Sequence, residues 1–271
     1  MCAMPVAPLS LSIRTFTSAE AGAWSNAYVI SGNADAILFD AVMLRSDAIK
    51  LTEQIAQSGK SLRIVFVSHG HPDHFMGLDV IVERFPKARV VATKNVVEDI
   101  KKDGPWMFSL LQEKLGPEGP RRLVIPEVLA EQEIFLEGTS IEVVEFGEGE
   151  SRHIATLFIP SQGALLTADL IYHNAHCYLQ EKRLDGWLTR LDELEQFSRG
   201  RVSTIYPGHG PAGGLSLIDR TRGYLRDFCA ALEGGSAESV EAKMLERYPD
   251  HHVRQFLTAF TLPAYFPPSK R

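Results

Sequence analysis

Four side chains that can bind a metal ion lie close together in one short segment of the chain, and they are His69, His71, Asp73 and His74. Neutral imidazole and carboxylate groups are the ligands that zinc and similar divalent metals prefer. The alternate spacing of His69 and His71 lets both side chains point the same way, whereas the adjacent Asp73 and His74 diverge toward a second position. We therefore expect this segment to hold two metal ions side by side. A solvated histidine-rich turn is the alternative interpretation.

The elements around this segment favour metal binding over a solvated turn. Residues 62–67 form a run that is apolar except for Arg63, which predicts a strand buried on both faces. Apolar residues then recur at helical spacing from Leu78 to Phe85, and residues 89–92 are expected to form another strand. This order of strand, loop, helix and strand places the four ligands at the carboxyl end of a buried strand.

The run His69-Gly70-His71-Pro72-Asp73-His74 resembles the HxHxDH signature of the metallo-β-lactamase fold superfamily. The resemblance implies an α/β fold, the four-layer αββα sandwich, over roughly residues 10 to 212. It also implies ligands later in the chain. Asp169 follows an apolar strand and resembles the bridging aspartate of the family, and His209, in Pro207-Gly208-His209-Gly210, resembles its final histidine.

One position departs from the family pattern, which has a histidine in a turn before the strand that leads to the bridging aspartate. An ungapped alignment of the strand over residues 154–159 places Glu150 at this position, whereas a short shift brings in His153. Both residues are ligand candidates, because a carboxylate also binds zinc. Imidazole matches the family chemistry, so His153 is slightly preferred. A further alternative is a single metal ion on the remaining ligands, which are Asp73, His74, Asp169 and His209.

The remaining pattern predicts one α/β domain over residues 1–271, with most strands before residue 210. Residues 98–130 are expected to form an inserted segment of one or two short helices, interrupted by Gly-Pro pairs such as Gly104-Pro105. This segment either forms a pocket wall or packs on the core as a satellite cluster. Residues 215–271 are expected to form C-terminal helices, because apolar residues recur there at helical spacing.

Four further residues are candidates for substrate binding. Tyr172 and His176 closely follow Asp169, so they can donate a hydrogen bond to a developing oxyanion or else support the site. Trp106 and Phe108 lie in the inserted segment and suggest a substrate with an apolar part.

Composition excludes several classes of function. The chain has 28 Lys and Arg against 34 Asp and Glu, a net charge of −6, so we expect no nucleic-acid partner. Cys2, Cys177 and Cys229 are expected to be free thiols. No secretory signal or membrane-spanning run is recognised, which favours a cytoplasmic protein without a membrane partner. The expected partner is a small-molecule substrate, and a homodimer is one open possibility for the assembly.

These observations favour a metal-dependent hydrolase. By the resemblance, two zinc ions would make a hydroxide nucleophile available near neutral pH, with Asp73 as ligand and catalytic residue that orients it. Lactones or esters are the first choice of substrate, and β-lactams or thioesters, as in glyoxalase II-like enzymes, are the alternatives. An iron-dependent oxidoreductase of the same fold and a hydrolase of small phosphodiesters are hypotheses of other classes.

Overall fold

The computed structural model describes residues 10–267, and these contain eleven strands in two sheets. Cys2 lies outside the described residues, whereas Cys177 and Cys229 are free thiols. The strands of the first sheet are Ser12–Thr17 (β1), Asn26–Ser31 (β2), Asp35–Phe39 (β3), Ser61–Phe66 (β4), Arg89–Ala92 (β5) and Glu127–Val128 (β6). Those of the second are Glu133–Leu136 (β7), Thr139–Phe146 (β8), Ile154–Ile159 (β9), Ala164–Tyr172 (β10) and Thr204–His209 (β11).

Eight α-helices accompany these strands within the described residues. Their bounds are Arg45–Gln57 (α1), Pro72–Phe75 (α2), Leu78–Arg84 (α3), Lys94–Leu115 (α4), Leu184–Ser198 (α5), Ser216–Leu232 (α6), Ala237–Arg247 (α7) and Leu262–Tyr265 (α8). A π-helical turn, Phe256–Thr261, leads into α8. Between residues 10 and 267, none of the helices has both the length and the apolar character that crossing a bilayer requires.

Both sheets are mixed. The first has the order β1-β2-β3-β4-β5-β6, in which β3, β4, β5 and β6 are parallel neighbours. The second has the order β11-β10-β9-β8-β7, in which β10 and β11 are parallel and the other pairs are antiparallel. Because β4, β10 and β11 carry polar residues at their carboxyl ends, this topology can bring those residues together at one edge of the two sheets.

The layers follow from the alternation of side chains along each strand. In β2, Tyr28 and Ile30 join the core that contains the inner face of the second sheet, whereas Ala27 and Val29 join the core under α1, α3 and α4. Helices α5 and α6 pack on the second sheet. The layers are therefore helix, sheet, sheet and helix, and the predicted αββα sandwich and helical C-terminal region are confirmed.

The inserted segment differs from its prediction. Residues 94–115 form the single helix α4, which begins earlier than expected and runs through Gly104 and Pro105. Proline removes one helical hydrogen bond, but Lys101, the acceptor concerned, is exposed, so water can satisfy its carbonyl group. The helix is also held by its buried first half, where Val97 and Ile100 pack into the core. Tertiary packing thus outweighs the local helix-breaking signal.

Strand β10 also extends further than predicted. Asp169 was expected to follow this strand, but the strand continues through Asp169 to Tyr172. Its pairing with β11 shifts register on both sides of Ala168, whose φ of 45° lies in the left-handed region. Such a bulge redirects the following side chain. Here that side chain is Asp169.

Candidate metal centre

Seven potential metal ligands converge where the loop after β4 meets the carboxyl ends of β10 and β11. Their ligand atoms form two groups, within each of which all atoms lie within 4.8 Å of one another. The first group is His69, His71, Glu150 and Asp169, and the second is Asp73, His74 and His209. Two adjacent groups of this kind can hold two cations side by side.

Asp169 lies between the two groups. In the first group, its Oδ2 lies 3.9 Å from His69 Nε2. In the second group, Oδ1 lies 3.2 Å from His74 Nε2, and Oδ2 lies 3.1 Å from His209 Nε2. A carboxylate in this position can bridge two metal ions.

Within the first group, Glu150 lies close to both imidazoles. His69 Nε2 lies 3.8 Å from Glu150 Oε2, and His71 Nδ1 lies 3.2 Å from Glu150 Oε1. In the second group, Asp73 Oδ2 lies 3.4 Å from both His74 Nε2 and His209 Nε2.

The residues present fit a pair of metal ions because their buried polar atoms lack other partners. Within the described residues, five such ligand atoms form no hydrogen bond: His69 Nε2, Asp73 Oδ2, His74 Nε2, Glu150 Oε2 and Asp169 Oδ1. A buried polar atom without a partner lowers the stability of the folded state by about 1–3 kcal/mol, and five such atoms together would destabilise it strongly. Mixed imidazole nitrogen and carboxylate oxygen donors suit zinc, and also iron.

Asp40 fixes two of the imidazoles from behind. This buried residue follows β3, and its Oδ2 lies 2.8 Å from His74 Nδ1 and accepts a hydrogen bond of 2.8 Å from the Ser68 hydroxyl. The same hydroxyl lies 2.9 Å from His69 Nδ1. A carboxylate that accepts the proton of Nδ1 leaves Nε2 of His74 free to bind metal.

His209 is held in a similar way by backbone and aromatic contacts. Its Nδ1 donates to the carbonyl oxygen of Ala23 over 2.9 Å, which leaves Nε2 facing the site. The Tyr172 ring stacks on the imidazole at 4.7 Å between centroids. The Tyr172 hydroxyl donates to Asp169 Oδ2 over 2.6 Å and lies 3.4 Å from Glu150 Oε1.

Electrostatics at the centre follow from burial and the close opposite charges. Burial, together with the charge of His74, holds the pKa of His69 well below its usual value and favours the neutral form that binds metal. Burial opposes ionisation of His74, but Asp169 and Asp73 hold its pKa well above the usual value. Burial also opposes ionisation of Asp169, but His209 and His74 hold its pKa well below the usual value.

Glycines allow the strand ends to approach one another. A Cβ on Gly208 would overlap Asp169 Oδ1, so only glycine fits at position 208 beside this carboxylate. Gly210 has a φ of 88°, and a Cβ there would overlap the carbonyl oxygen of His173. The glycines around His209 therefore place this imidazole and Asp169 within reach of each other.

The two groups open into a pocket of about 750 Å³. His71, Asp73, Glu150 and Asp169 contribute to its lining. Much of the apolar part of the wall comes from α4 and the π-helical turn. Its main apolar members are Trp106, Met107, Leu110, Leu111, Phe256 and Phe260. A substrate with one polar, reactive end and one apolar end suits this arrangement.

Comparison with known families agrees with the sequence motif and the fold. Residues 25–209, roughly two thirds of the chain, match the family model described as the metallo-beta-lactamase superfamily. The chain belongs to this superfamily. The predicted family membership is therefore confirmed. Comparison with curated proteins gives no match.

Solved metallo-beta-lactamase structures share the fold of this superfamily member. A metallo-beta-lactamase from Pontibacter korlensis aligns with a TM-score of 0.63 and 19% identity, covering 81% of this chain and all of its own. VMB-1 aligns with a TM-score of 0.62 and 16% identity, covering 80% of this chain and 96% of its own. The DIM-1 metallo-beta-lactamase gives 0.60 and 18%, with coverages of 80% and 97%. At this identity, the similarity concerns the fold.

The departure from the superfamily pattern falls on Glu150. The structure brings Glu150 into the first group and leaves His153, the slightly preferred candidate, outside both groups. His153 Nδ1 lies 2.8 Å from Asp99 Oδ2, so a carboxylate on α4 holds this imidazole at the pocket rim. Burial raises the pKa of Glu150 to about 7 despite the opposing effect of His71.

The four predicted substrate-binding residues have different surroundings. Trp106 and Tyr172 line the pocket, although the Tyr172 hydroxyl is engaged with Asp169. Phe108 does not line the pocket and packs against the core under α4, on another side of the helix from Trp106. His176 is fully buried away from the pocket, and its Nδ1 lies 2.8 Å from the hydroxyl of Tyr224. The structure therefore places Phe108 and His176 outside the lining of this pocket.

Three features of the centre were missed from sequence. Asp40 had a usable signal, because it directly follows the apolar run over residues 36–39, just as the histidine segment follows an apolar run. Glu181, which lies 2.9 Å from His71 Nε2, had no signal in its local sequence. Phe256 and Phe260 had none either, because a π-helical turn places residues by a spacing unlike that of an α-helix.

Proposed function

We propose that this protein is a hydrolase that uses two divalent metal ions, with zinc as the first choice, to cleave a lactone or an ester. The observation that supports the proposal is the pair of ligand groups, with five buried polar atoms that lack partners, beside a pocket of about 750 Å³. Ions bound there would polarise a carbonyl group and lower the pKa of a water molecule toward 7.

Asp73 has the position expected of a catalytic carboxylate. Its side chain lines the pocket and belongs to the second ligand group, and its Oδ2 has no hydrogen-bond partner among the described residues. This oxygen can therefore orient a water nucleophile and hold its proton. Burial opposes ionisation of Asp73, but His74 and His209 hold its pKa below the usual value, so it is charged near neutral pH.

Tyr172 supports the two carboxylates of the first ligand group. Its hydroxyl donates to Asp169 and lies beside Glu150, and burial holds its pKa well above the usual value. The phenol therefore stays protonated and keeps Asp169 oriented at neutral pH.

The shape of the pocket supports a lactone or an ester with an apolar substituent. The reactive carbonyl would lie at the ligand groups, and the substituent would lie against Trp106 and Phe260. β-Lactams and thioesters contain the same type of carbonyl and are alternatives, the former because the solved relatives are named metallo-beta-lactamases.

The test begins with metal-free protein reconstituted separately with Zn²⁺, Mn²⁺ and Fe²⁺. Each form is assayed on lactones, esters, thioesters and β-lactams, with and without a chelator. We expect chelator-sensitive turnover of a lactone or an ester, and a loss of at least about 100-fold in kcat/KM in Asp73→Asn. Asp192→Asn is the control, because Asp192 is exposed and pairs with Arg222 outside the pocket.

Absence of metal-dependent turnover on every substrate in the panel would reject the proposed reaction class. Turnover restricted to the Fe²⁺ form, with consumption of oxygen and a thiol substrate, would instead favour the oxidoreductase hypothesis. This comparison of metals is informative because oxygen donors also suit iron and manganese. Three of the seven ligands are carboxylates, namely Asp73, Glu150 and Asp169.

A further inference from the structure

His71, like His74, has a carboxylate at each ring nitrogen. Nδ1 lies 3.2 Å from Glu150 Oε1, and Nε2 lies 2.9 Å from Glu181 Oε1. Because only Nδ1 faces the ligand group, Nε2 must carry the proton in the neutral ring, and it donates this proton to Glu181. Glu181 therefore selects the tautomer in which Nδ1 is free to bind a cation.

Glu181 is itself held by a neighbouring cation. Its Oε2 accepts a hydrogen bond of 2.7 Å from Arg183 Nε. Arg183 also forms an ion pair with Glu148, two residues before Glu150. One arginine side chain thus connects the carboxylate behind His71 with the loop that carries Glu150.

The loop that carries Glu150 is seated closely on α5. A Cβ on Gly186 would lie 2.7 Å from the carbonyl oxygen of Glu148, and one on Gly149 would lie 3.1 Å from Arg190 Cγ. Neither position has space for a larger residue without movement. The loop and the first turn of α5 therefore form one packed unit, with Arg183 at its edge.

We propose that Glu181 and Arg183 form a clasp that positions His71 and Glu150 as ligands of the first metal position. This inference rests on the proposed metal-dependent function. A clasp is needed here because Glu150 lies beside two other carboxylates, Glu181 and Asp169, which repel it. Arg183 supplies positive charge next to this concentration of negative charge, and the carboxylate of Glu181 prevents His71 from rotating.

The clasp is tested by titrating metal-free protein with Zn²⁺ in competition with a chromophoric chelator, which gives the number of ions bound and both dissociation constants. We expect Glu181→Ala to weaken one of the two ions about 10–100-fold and to leave the other unchanged. Glu181→Gln should lose less, because its amide oxygen can still accept the proton of His71 Nε2. Arg183→Gln should weaken the same ion, and its effect should not add to that of Glu181→Ala.

Glu142→Gln is the matched control, because Glu142 also pairs with an arginine, Arg201, but lies on β8 outside the pocket. Thermal unfolding of the metal-free variants shows whether each has kept the wild-type fold. Wild-type affinity for two ions in a folded Glu181→Ala variant would overturn the clasp while leaving the proposed function intact. Failure of the wild-type protein to bind any ion would instead remove the proposed function.

Discussion

Asp169 on β10 and Gly208 on the neighbouring strand β11 have the most constrained geometry of the metal centre. The left-handed backbone at Ala168 directs Asp169 between the two ligand groups, where it faces His69, His74 and His209. A backbone that places a carboxylate this way needs space on the neighbouring strand. Gly208 provides that space, since any Cβ would overlap Asp169 Oδ1.

Gly208→Ala should therefore displace Asp169 without changing any ligand. We expect a loss of about 100-fold in kcat/KM, because small displacements of a reacting group can cost that much, and a decrease of about 1–3 kcal/mol in the free energy of unfolding. Activity assays and urea denaturation measure these effects. Gly214→Ala is the control, because a Cβ there meets no atom within 4 Å. Equal activity of the two variants would contradict this geometry.

At the scale of the elements, the sequence predicted most strands and helices, because alternation and helical spacing are local properties. The αββα arrangement, by contrast, came from the family resemblance. The helix over residues 94–115 was not predicted in full, because buried contacts of Val97 and Ile100 offset the effect of Gly104 and Pro105. Only the folded chain contains those contacts.

The choice between Glu150 and His153 is also decided by contacts between elements. Both residues lie in one loop, so the sequence alone offers two registers for the same strand. In the structure, Asp99 on α4 holds His153 at the rim, and close packing of Gly149 on α5 seats the loop with Glu150 at the ligand group. By contrast, the motif over residues 69–74 was recognisable from the sequence, because its ligands are neighbours in the chain.

The apolar wall between α4 and the π-helical turn makes its own prediction about substrates. Trp106 and Phe260 line the pocket, yet their exposed fractions are 67% and 42%. If a substrate covers them, Trp106→Ala or Phe260→Ala should raise KM about tenfold for esters or lactones with long apolar substituents. Compounds with a methyl substituent should be affected little.

Steady-state kinetics on a series of increasing substituent length provide the measurement. Phe135→Ala is a suitable control, because Phe135 is 62% exposed on β7 and does not line the pocket. A KM that is independent of substituent length in both the wild-type protein and the wall variants would show that the substrate does not contact this wall.

At the scale of the whole molecule, a buried histidine makes stability depend on pH. Burial, with the nearby His251 and Arg254, lowers the pKa of His176 to about 4. In the unfolded chain its pKa is about 6.5, so the folded state favours the neutral imidazole. This contribution to stability is complete above pH 6.5 and is lost as the pH falls toward 4.

His176→Gln should therefore reduce the loss of stability between pH 7 and pH 4.5 by about 2 kcal/mol, as measured by urea denaturation of the metal-free protein at both pH values. His252→Gln is the comparison, because His252 is exposed and stacks on Trp24. The same pH dependence in wild-type and His176→Gln proteins would contradict a buried neutral imidazole.

The central claim is that side chains from both halves of the chain hold two cations, and anomalous X-ray diffraction from crystals grown with Zn²⁺ tests it most directly. We expect two anomalous peaks per chain, one among His69, His71 and Glu150 and the other among Asp73, His74 and His209, with Asp169 between them. No peak at either position in zinc-containing crystals, or a first peak coordinated by His153 in place of Glu150, would contradict the account.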